Sequence, residues 1–268
     1  MQARGFTVGP LQENCWVVGE DARAIVVDPG DEADRLIAEL DGLTVEAILL
    51  THTHFDHVGA VAALARHTRA PVYCPATEVF ILQDINSYVF PGYGPYEPYD
   101  PEQTIEGGEH LTLAGLEIDV IFTPGHSPGH VSFSIPDHQL LLSGDVLFQG
   151  SIGRTDLPGG DHETLMRSIE TLLDTLPDDT RVFVCHDYGP GGRAVACETT
   201  LGEQKRSNIH VRDGIGEAEF VAMRTARDAT LAMPALILPA LQVNLRGGAL
   251  PEPEANGVRY LKIPLDSL

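Results

Sequence analysis

Short β-branched runs alternate with amphipathic helical stripes over roughly the first 185 residues, the rhythm of an α/β protein. Ala24-Ile25-Val26-Val27 reads as a buried strand closed by the turn Asp28-Pro29-Gly30. Ala33, Leu36, Ile37 and Leu40 then fall at i, i+3, i+4 and i+7, a helical stripe that Gly42 is placed to stop. A second strand, Ala47 to Leu50, follows. The pattern next predicts a helix over Ala60 to His67, a short strand at Pro71 to Cys74 and another at Leu116 to Phe122. Strands at Leu140 to Leu142 and Arg181 to Val184 flank a helix patterned on Leu165, Ile169, Leu172 and Leu176.

Several of these strands end on polar residues, as sheet-based enzymes expose chemistry on a rigid frame. The ends read Thr51-His52-Thr53-His54-Phe55-Asp56-His57, Thr123-Pro124-Gly125-His126, Ser143-Gly144-Asp145 and Cys185-His186. Two regions depart from the rhythm. Ser87 to Pro101 is rich in Pro, Gly and Tyr, with Tyr88, Tyr93, Tyr96 and Tyr99, and reads as a long ordered loop over a cleft or as plain surface. Beyond Gly189 come helices around Thr199 to Ser207 and Glu217 to Ala229, then a Pro-rich stretch from Leu236 to Leu268 too apolar for disorder. The expected organisation is a catalytic core over 1–186 and an extension over 187–268 that packs on the core or, as a homodimer contact, on a second subunit.

Composition narrows the class. The chain has 268 residues, 43% hydrophobic, and a formal charge of −22, which disfavours nucleic acid and anionic membrane as partners. With no apolar run of membrane-spanning length and no leader-like N-terminus, the expected location is the cytoplasm. Cys15, Cys74, Cys185 and Cys197 form no C-x-x-C pair and read as reduced, mostly buried thiols.

The chemistry concentrates at the strand ends. In an extended segment His52 and His54 share one face, and Asp56 and His57 follow within a turn. Together with His126, Asp145 and His186 they form a candidate set of metal ligands. The pattern H-x-H-x-D-H, a downstream Gly-His, a Gly-Asp and a last strand-end His resembles the metallo-β-lactamase superfamily over positions 5 to 186. The resemblance implies a four-layer αβ/βα sandwich of two mixed sheets with helices on both outer faces. It also implies one metal at His52, His54 and His126, a second at Asp56, His57 and His186, and Asp145 bridging them. Two divalent ions are expected, Zn²⁺ foremost, with Fe or Mn²⁺ as alternatives. Asp56 doubles as a candidate catalytic base or orienter. Asp at position 145, where antibiotic-hydrolysing members commonly carry Cys, points away from β-lactams.

Two stretches bear on the substrate. Gly150-Ser151-Ile152-Gly153-Arg154-Thr155-Asp156-Leu157-Pro158-Gly159-Gly160-Asp161 resembles a loop of small glyoxalase II-like hydrolases. This implies a metal-bridging hydroxide acting on a thioester or similar acyl substrate, small and glutathione-linked. Arg154 and Tyr93 are candidate substrate contacts, and Arg154 with Asp156 also reads as a buried ion pair holding the loop. Asn208 to Gly214, Ala222 to Thr230, Gln242 to Asn244 and Asn256 to Pro264 are instead similar to the tail of β-lactamase-like hydrolases of sulfide and persulfide metabolism. That likeness implies an alternative, a mononuclear Fe(II) persulfide dioxygenase; a lactonase is a third reading. Such a chain is a mosaic, natural or constructed, with its seam between Phe183 and Thr200. Arg193, Lys205, Arg224 and Arg227 read mainly as solvated cations.

Overall fold

The computed structural model describes residues 1–89, 93–228, 253–254, 256 and 258–260. Its frame is two mixed six-stranded sheets. The first holds β1 (Gln2–Val8), β2 (Glu13–Gly19), β3 (Arg23–Val27), β4 (Thr44–Leu49), β5 (Val72–Pro75) and β6 (Gln103–Ile105) in that order. β1 to β3 are antiparallel, and β3 to β6 are parallel through helical crossovers. The second sheet uses β7 (His110–Leu113), β8 (Leu116–Phe122), β9 (Val131–Ile135), β10 (Leu140–Leu142), β13 (Arg181–Phe183) and β14 (Glu198–Thr200), in the order β14-β13-β10-β9-β8-β7. A small hairpin pairs β11 (Leu147–Phe148) with β12 (Ser151–Ile152).

The period-two alternation of the strands assigns each apolar residue to one of two cores. Val18, Ile25, Val27 and Leu49 face Val120, Phe133, Ile135, Leu140, Leu142 and Phe183 in the seam between the sheets. Trp16 stacks on Phe183 across it at 4.2 Å. Their neighbours Val17, Val26, Ile48 and Leu50 face outward under α1 (Ala33–Glu39), α2 (Phe55–Val58) and α3 (Val61–Thr68), which bury Leu36, Phe55, Val58, Val61 and Leu64. α4 (Val79–Gln83) closes this layer with Leu82. On the opposite face Leu141, Val182 and Val184 meet α5 (His162–Thr175) through Leu165, Ile169 and Leu172. The Asp161 side chain caps α5, accepting from Thr164 N at 2.7 Å. This is the expected four-layer αβ/βα sandwich.

The start of the extension is built into the body. Thr199 and Thr200 do not open a helix as their sequence context predicts. They belong to β14, whose antiparallel pairing with β13 satisfies an otherwise bare sheet edge. Helix begins one residue later, as α6 (Leu201–Ser207), with Thr200 as its cap. Leu201, Val211 and Phe220, the last from α7 (Glu217–Asp228), join the core over the second sheet. The apolar stretch around Leu236 and the subunit contact expected of it lie outside the described residues. Among the described residues no helix is long and apolar enough to cross a membrane.

Candidate metal centre

Every candidate ligand follows the C-terminal end of a strand: His52 to His57 after β4, His126 after β8, Asp145 after β10 and His186 after β13. The fold brings all seven together. His54 Nδ1 lies 3.0 Å from His52 Nε2 and 2.9 Å from His126 Nε2. His57 Nε2 lies 3.3 Å from His186 Nε2, and His186 Nε2 is 3.5 Å from Asp56 Oδ2. Asp145 stands between the two groups. Its Oδ2 is 3.3 Å from His126 Nε2, and its Oδ1 is 3.5 Å from His57 Nε2 and 3.7 Å from His186 Nε2. Buried Asp145 Oδ1 has no hydrogen-bond donor.

The outer hydrogen bonds set the tautomers. His126 Nδ1 meets the Arg154 carbonyl at 2.7 Å, an oxygen that only accepts, so Nδ1 carries the proton and Nε2 turns a lone pair inward. His57 Nδ1 donates to Asp28 Oδ2 at 3.1 Å. Thr51 Oγ1 spends its proton on Asp28 Oδ2 at 2.6 Å and accepts from His52 Nδ1 at 3.0 Å. Tyr188 spends its own on the Leu11 carbonyl at 3.0 Å and accepts from His186 Nδ1 at 3.2 Å. Four imidazoles thus direct bare Nε2 lone pairs at one another and at carboxylate oxygens. Burial keeps them neutral: it pushes His52, His57 and His126 well below the ordinary imidazole range and His186 to about 4. Burial also drives His54 to about 4, with the Arg154 charge assisting.

Lone pairs and an orphaned carboxylate oxygen converging without protons fit divalent cations. Two nitrogens on a tetrahedral zinc stand about 3.3 Å apart at bond lengths of about 2.0 Å, close to the spacing here. The nitrogen and oxygen donors suit Zn²⁺, Fe or Mn²⁺. Four overlapping groups among the described residues can each hold an ion by donor type and spacing: His52, His54 and His126; His52, His57 and Asp145; Asp56, His57 and His186; and, behind His57, Glu13, Asp28, His57 and Cys185.

The candidate substrate contacts lie farther out. Arg154 reaches Asp156 through two bonds of 2.7 Å, and the pair is 52% and 34% exposed by side chain, so it is a surface clamp and not the buried pair expected from sequence. The loop is held from within by the Arg154 carbonyl on His126. The Tyr93 ring packs on Phe55 at 5.0 Å, one residue from Asp56. Arg193 is not a solvated cation but forks onto buried Asp187 with two bonds of 2.6 Å, and Lys205 pairs with Asp178. The side chains of Arg224 and Arg227 lie outside the described residues. The thiols of Cys15, Cys74 and Cys185 are free and buried, and that of Cys197 is half-buried.

Sequence reading passed over three supporting residues. Asp28 is fully buried, accepts from Thr51 N at 2.8 Å as well as from Thr51 Oγ1 and His57, and is raised to about 7 by burial. His130 Nε2 accepts the Asp145 backbone N–H at 3.0 Å. Glu78 ties two ligand loops together. Asp28 carried a signal, a polar residue at a strand end like the ligands themselves.

A two-sheet αβ/βα sandwich with a His/Asp cluster at its strand ends defines a metallohydrolase fold. The chain belongs to the metallo-beta-lactamase superfamily, whose family model matches residues 8–186. It is 42% identical over 88% of its length to a probable metallo-hydrolase of Burkholderia pseudomallei, covering 84% of that protein. The share left unmatched is too small to hold everything beyond Thr200, so one relative matches on both sides of the expected seam. The chain is 46% identical over 85% of its length to a beta-lactamase hydrolase-like protein of Agrobacterium fabrum, but spans only 52% of it. It is 36% identical over 75% of its length to the hydroxyacylglutathione hydrolase GloC of Haemophilus influenzae, covering 93% of that protein. Among solved structures, BLEG-1 B3 metallo-beta-lactamase superposes at TM-score 0.70 with 38% identity, over 78% of this chain and 98% of that one. TTHA1623 in a di-iron-bound form gives 0.62 and 39%, over 77% and 98%. ETHE1 from Myxococcus xanthus gives 0.67 and 28%, over 93% and 100%.

Proposed function

We propose that this chain is a two-metal hydrolase of a thioester or similar acyl substrate, with a glutathione-linked acyl group as the favoured class. The reading rests on Asp145, whose two oxygens face two separate histidine groups. His52, His54 and His126 would hold one ion, Asp56, His57 and His186 the other, and Asp145 would reach both. A bound pair of ions would supply Lewis acidity toward an acyl carbonyl and make water acidic enough to serve as a nucleophile near neutral pH.

The protein's own groups do the rest. The buried histidines stay neutral and oriented by their outer acceptors, so the centre is preorganised for charge developing on the substrate. Asp56, raised to about 6 by burial, orients water at Oδ2 and accepts its proton when only one ion is bound; with two it serves as a ligand. A thiolate leaves without protonation, so no separate general acid is required. Arg154, whose charge is felt at His54 and whose guanidinium is held by Asp156, would meet a carboxylate of the substrate. Tyr93 would line the approach beside Phe55. The 36% identity to a hydroxyacylglutathione hydrolase supports the substrate class.

The alternative is a mononuclear Fe(II) persulfide dioxygenase, supported by the likeness to ETHE1 over 93% of the chain. Metal analysis with two assays separates the readings. Two ions per chain with anaerobic turnover of S-lactoylglutathione supports hydrolysis. One iron, with oxygen uptake on glutathione persulfide, overturns it. Turnover of a lactone or a β-lactam in place of the thioester would move the substrate while leaving the centre.

A further inference from the structure

Glu78 begins as an anomaly of sequence and burial. It follows β5 in a one-turn helix, yet the side chain is 1% exposed and carries no cationic partner among the described residues. An acidic group so placed must be held by hydrogen bonds. Four donors supply them, from two loops. Oε2 accepts Thr53 N at 2.8 Å and Thr53 Oγ1 at 2.9 Å, between His52 and His54. Oε1 accepts Gly129 N at 2.8 Å and the Ser127 hydroxyl, which follows His126 directly. One carboxylate therefore joins the loop carrying His52 and His54 to the loop carrying His126, and His54 Nδ1 sits between the other two nitrogens, 3.0 Å from His52 Nε2 and 2.9 Å from His126 Nε2.

The close approach has its own sequence requirement. A Cβ at position 129 would lie 2.8 Å from Glu78 Cγ and collide with Thr77 Oγ1, so only glycine lets the second loop reach the carboxylate. None of these bonds touches Asp56, His57 or His186.

From this geometry we infer that Glu78 is a positioning residue for one metal position, the His52, His54 and His126 group, and not for the other. It fixes the distance between the two loops that supply those three nitrogens, so that they are in place before an ion arrives. The inference rests on the two-metal reading. Its chemistry makes Glu78→Gln informative. The amide NH2 must replace either Oε1 or Oε2, and either way it confronts a backbone N–H, of Gly129 or of Thr53, that cannot turn to accept. An isosteric change thus breaks the tie from one side.

The test is zinc titration of EDTA-treated protein against a chromophoric chelator, with circular dichroism to check the fold. Wild type should take two ions. Glu78→Gln should weaken one of them by about 10- to 100-fold, the scale of losses when a residue supporting a ligand is removed, and leave the other unchanged. Gly129→Ala, which keeps the carboxylate but displaces it, should weaken the same ion. Ser127→Ala, losing one donor of the four, should give a smaller loss at that ion and serves should Glu78→Gln not fold. Folded variants that hold both ions as tightly as wild type would overturn the inference while leaving the two-metal reading intact. Equal weakening of both ions would also overturn it, since a general loss of structure predicts that result. A wild-type protein that takes up no second ion would overturn the two-metal reading, and the inference with it.

Discussion

Asp28 holds the His57 imidazole at Nδ1, 3.1 Å from Oδ2, and so decides which nitrogen faces the metal centre. The other oxygen is fixed by Thr51 N at 2.8 Å. In Asp28→Asn the carbonyl stays on Thr51 N and the amide NH2 takes the place of Oδ2, so His57 Nδ1 must accept and Nε2 must carry the proton. The expected result is a loss of about 10- to 100-fold in affinity for the ion nearest His57, with the protein still folded. Chelator competition on the purified variant measures it, and an unchanged affinity would show that the tautomer is set elsewhere.

His57→Ala removes a donor from the Asp56, His57 and His186 group but none from His52, His54 and His126. The variant should bind one ion in place of two and retain most of its fold, because the two sheets pack through Phe133, Phe183 and their neighbours without His57. Elemental analysis after dialysis reads the stoichiometry. Two ions retained at full rate would dismantle the assignment.

Acid should weaken metal binding through the carboxyls and not through the imidazoles. Burial raises Asp56 to about 6 and puts Asp145 well above the ordinary carboxyl range, the latter helped by the charges of Asp56 and Asp28. Burial lowers His54 and His186 to about 4. Between about pH 6 and about pH 4 Asp56 of the metal-free protein therefore carries a proton while these imidazoles are still bare. An incoming ion must expel carboxyl protons, so affinity falls and proton release grows as pH drops from about 7 to about 5. Calorimetry of the metal-free protein in buffers of different ionisation enthalpy counts those protons; a release that is flat across the range contradicts the prediction.

The candidate ligands stood out in the sequence because each sits where an apolar strand stops, and the pattern of His52, His54, Asp56 and His57 is dense enough to announce itself. The helices α1, α3 and α5 were legible for a similar reason: one face packs on a sheet, so the period survives in the sequence. Strands β1, β2 and β9 were not. Every residue of β2 is buried, including Glu13 and Asn14, and β9 carries Ser132 and Ser134 inside, so polarity there does not mark the surface. Glu78 was illegible for a stronger reason. Its donors, Thr53, Ser127 and Gly129, are up to 51 positions away in the chain, and only the folded loops bring them together. The exposed Arg154 and Asp156 pair shows the opposite limit, since spacing gave the partners but could not give their burial.

Arg154 contributes its carbonyl to His126 and its guanidinium to the surface, so the two roles separate cleanly by mutation. Arg154→Ala keeps the carbonyl and should leave metal content unchanged. Loss of the cation should raise KM for S-lactoylglutathione by about tenfold, roughly the weight of one charge-assisted hydrogen bond, with kcat nearly unaltered. Steady-state kinetics beside metal analysis distinguishes this from damage to the centre. A fall in kcat with loss of metal would mean that the side chain, and not only the backbone, holds the loop.

Gly153 holds that loop close against the Asp145 backbone and the His126 ring. A Cβ there would collide with the Asp145 carbonyl and lie 3.1 Å from His126 Nδ1. The crowded atoms cannot give way independently. The Asp145 backbone is tied by its N–H to His130 Nε2, and His126 Nδ1 is tied to the Arg154 carbonyl in the next residue. Gly153→Ala must therefore move either Asp145, which faces both histidine groups, or His126, a candidate ligand in one of them. Overpacking of this kind costs about 1 to 3 kcal/mol of stability, read as a lower urea midpoint with an unchanged slope. Because Asp145 faces both groups, affinity for both ions should drop together, unlike the one-sided loss expected of Asp28→Asn. A variant as stable as wild type with both ions bound normally would mean that the 150–156 loop can retreat without carrying the centre with it.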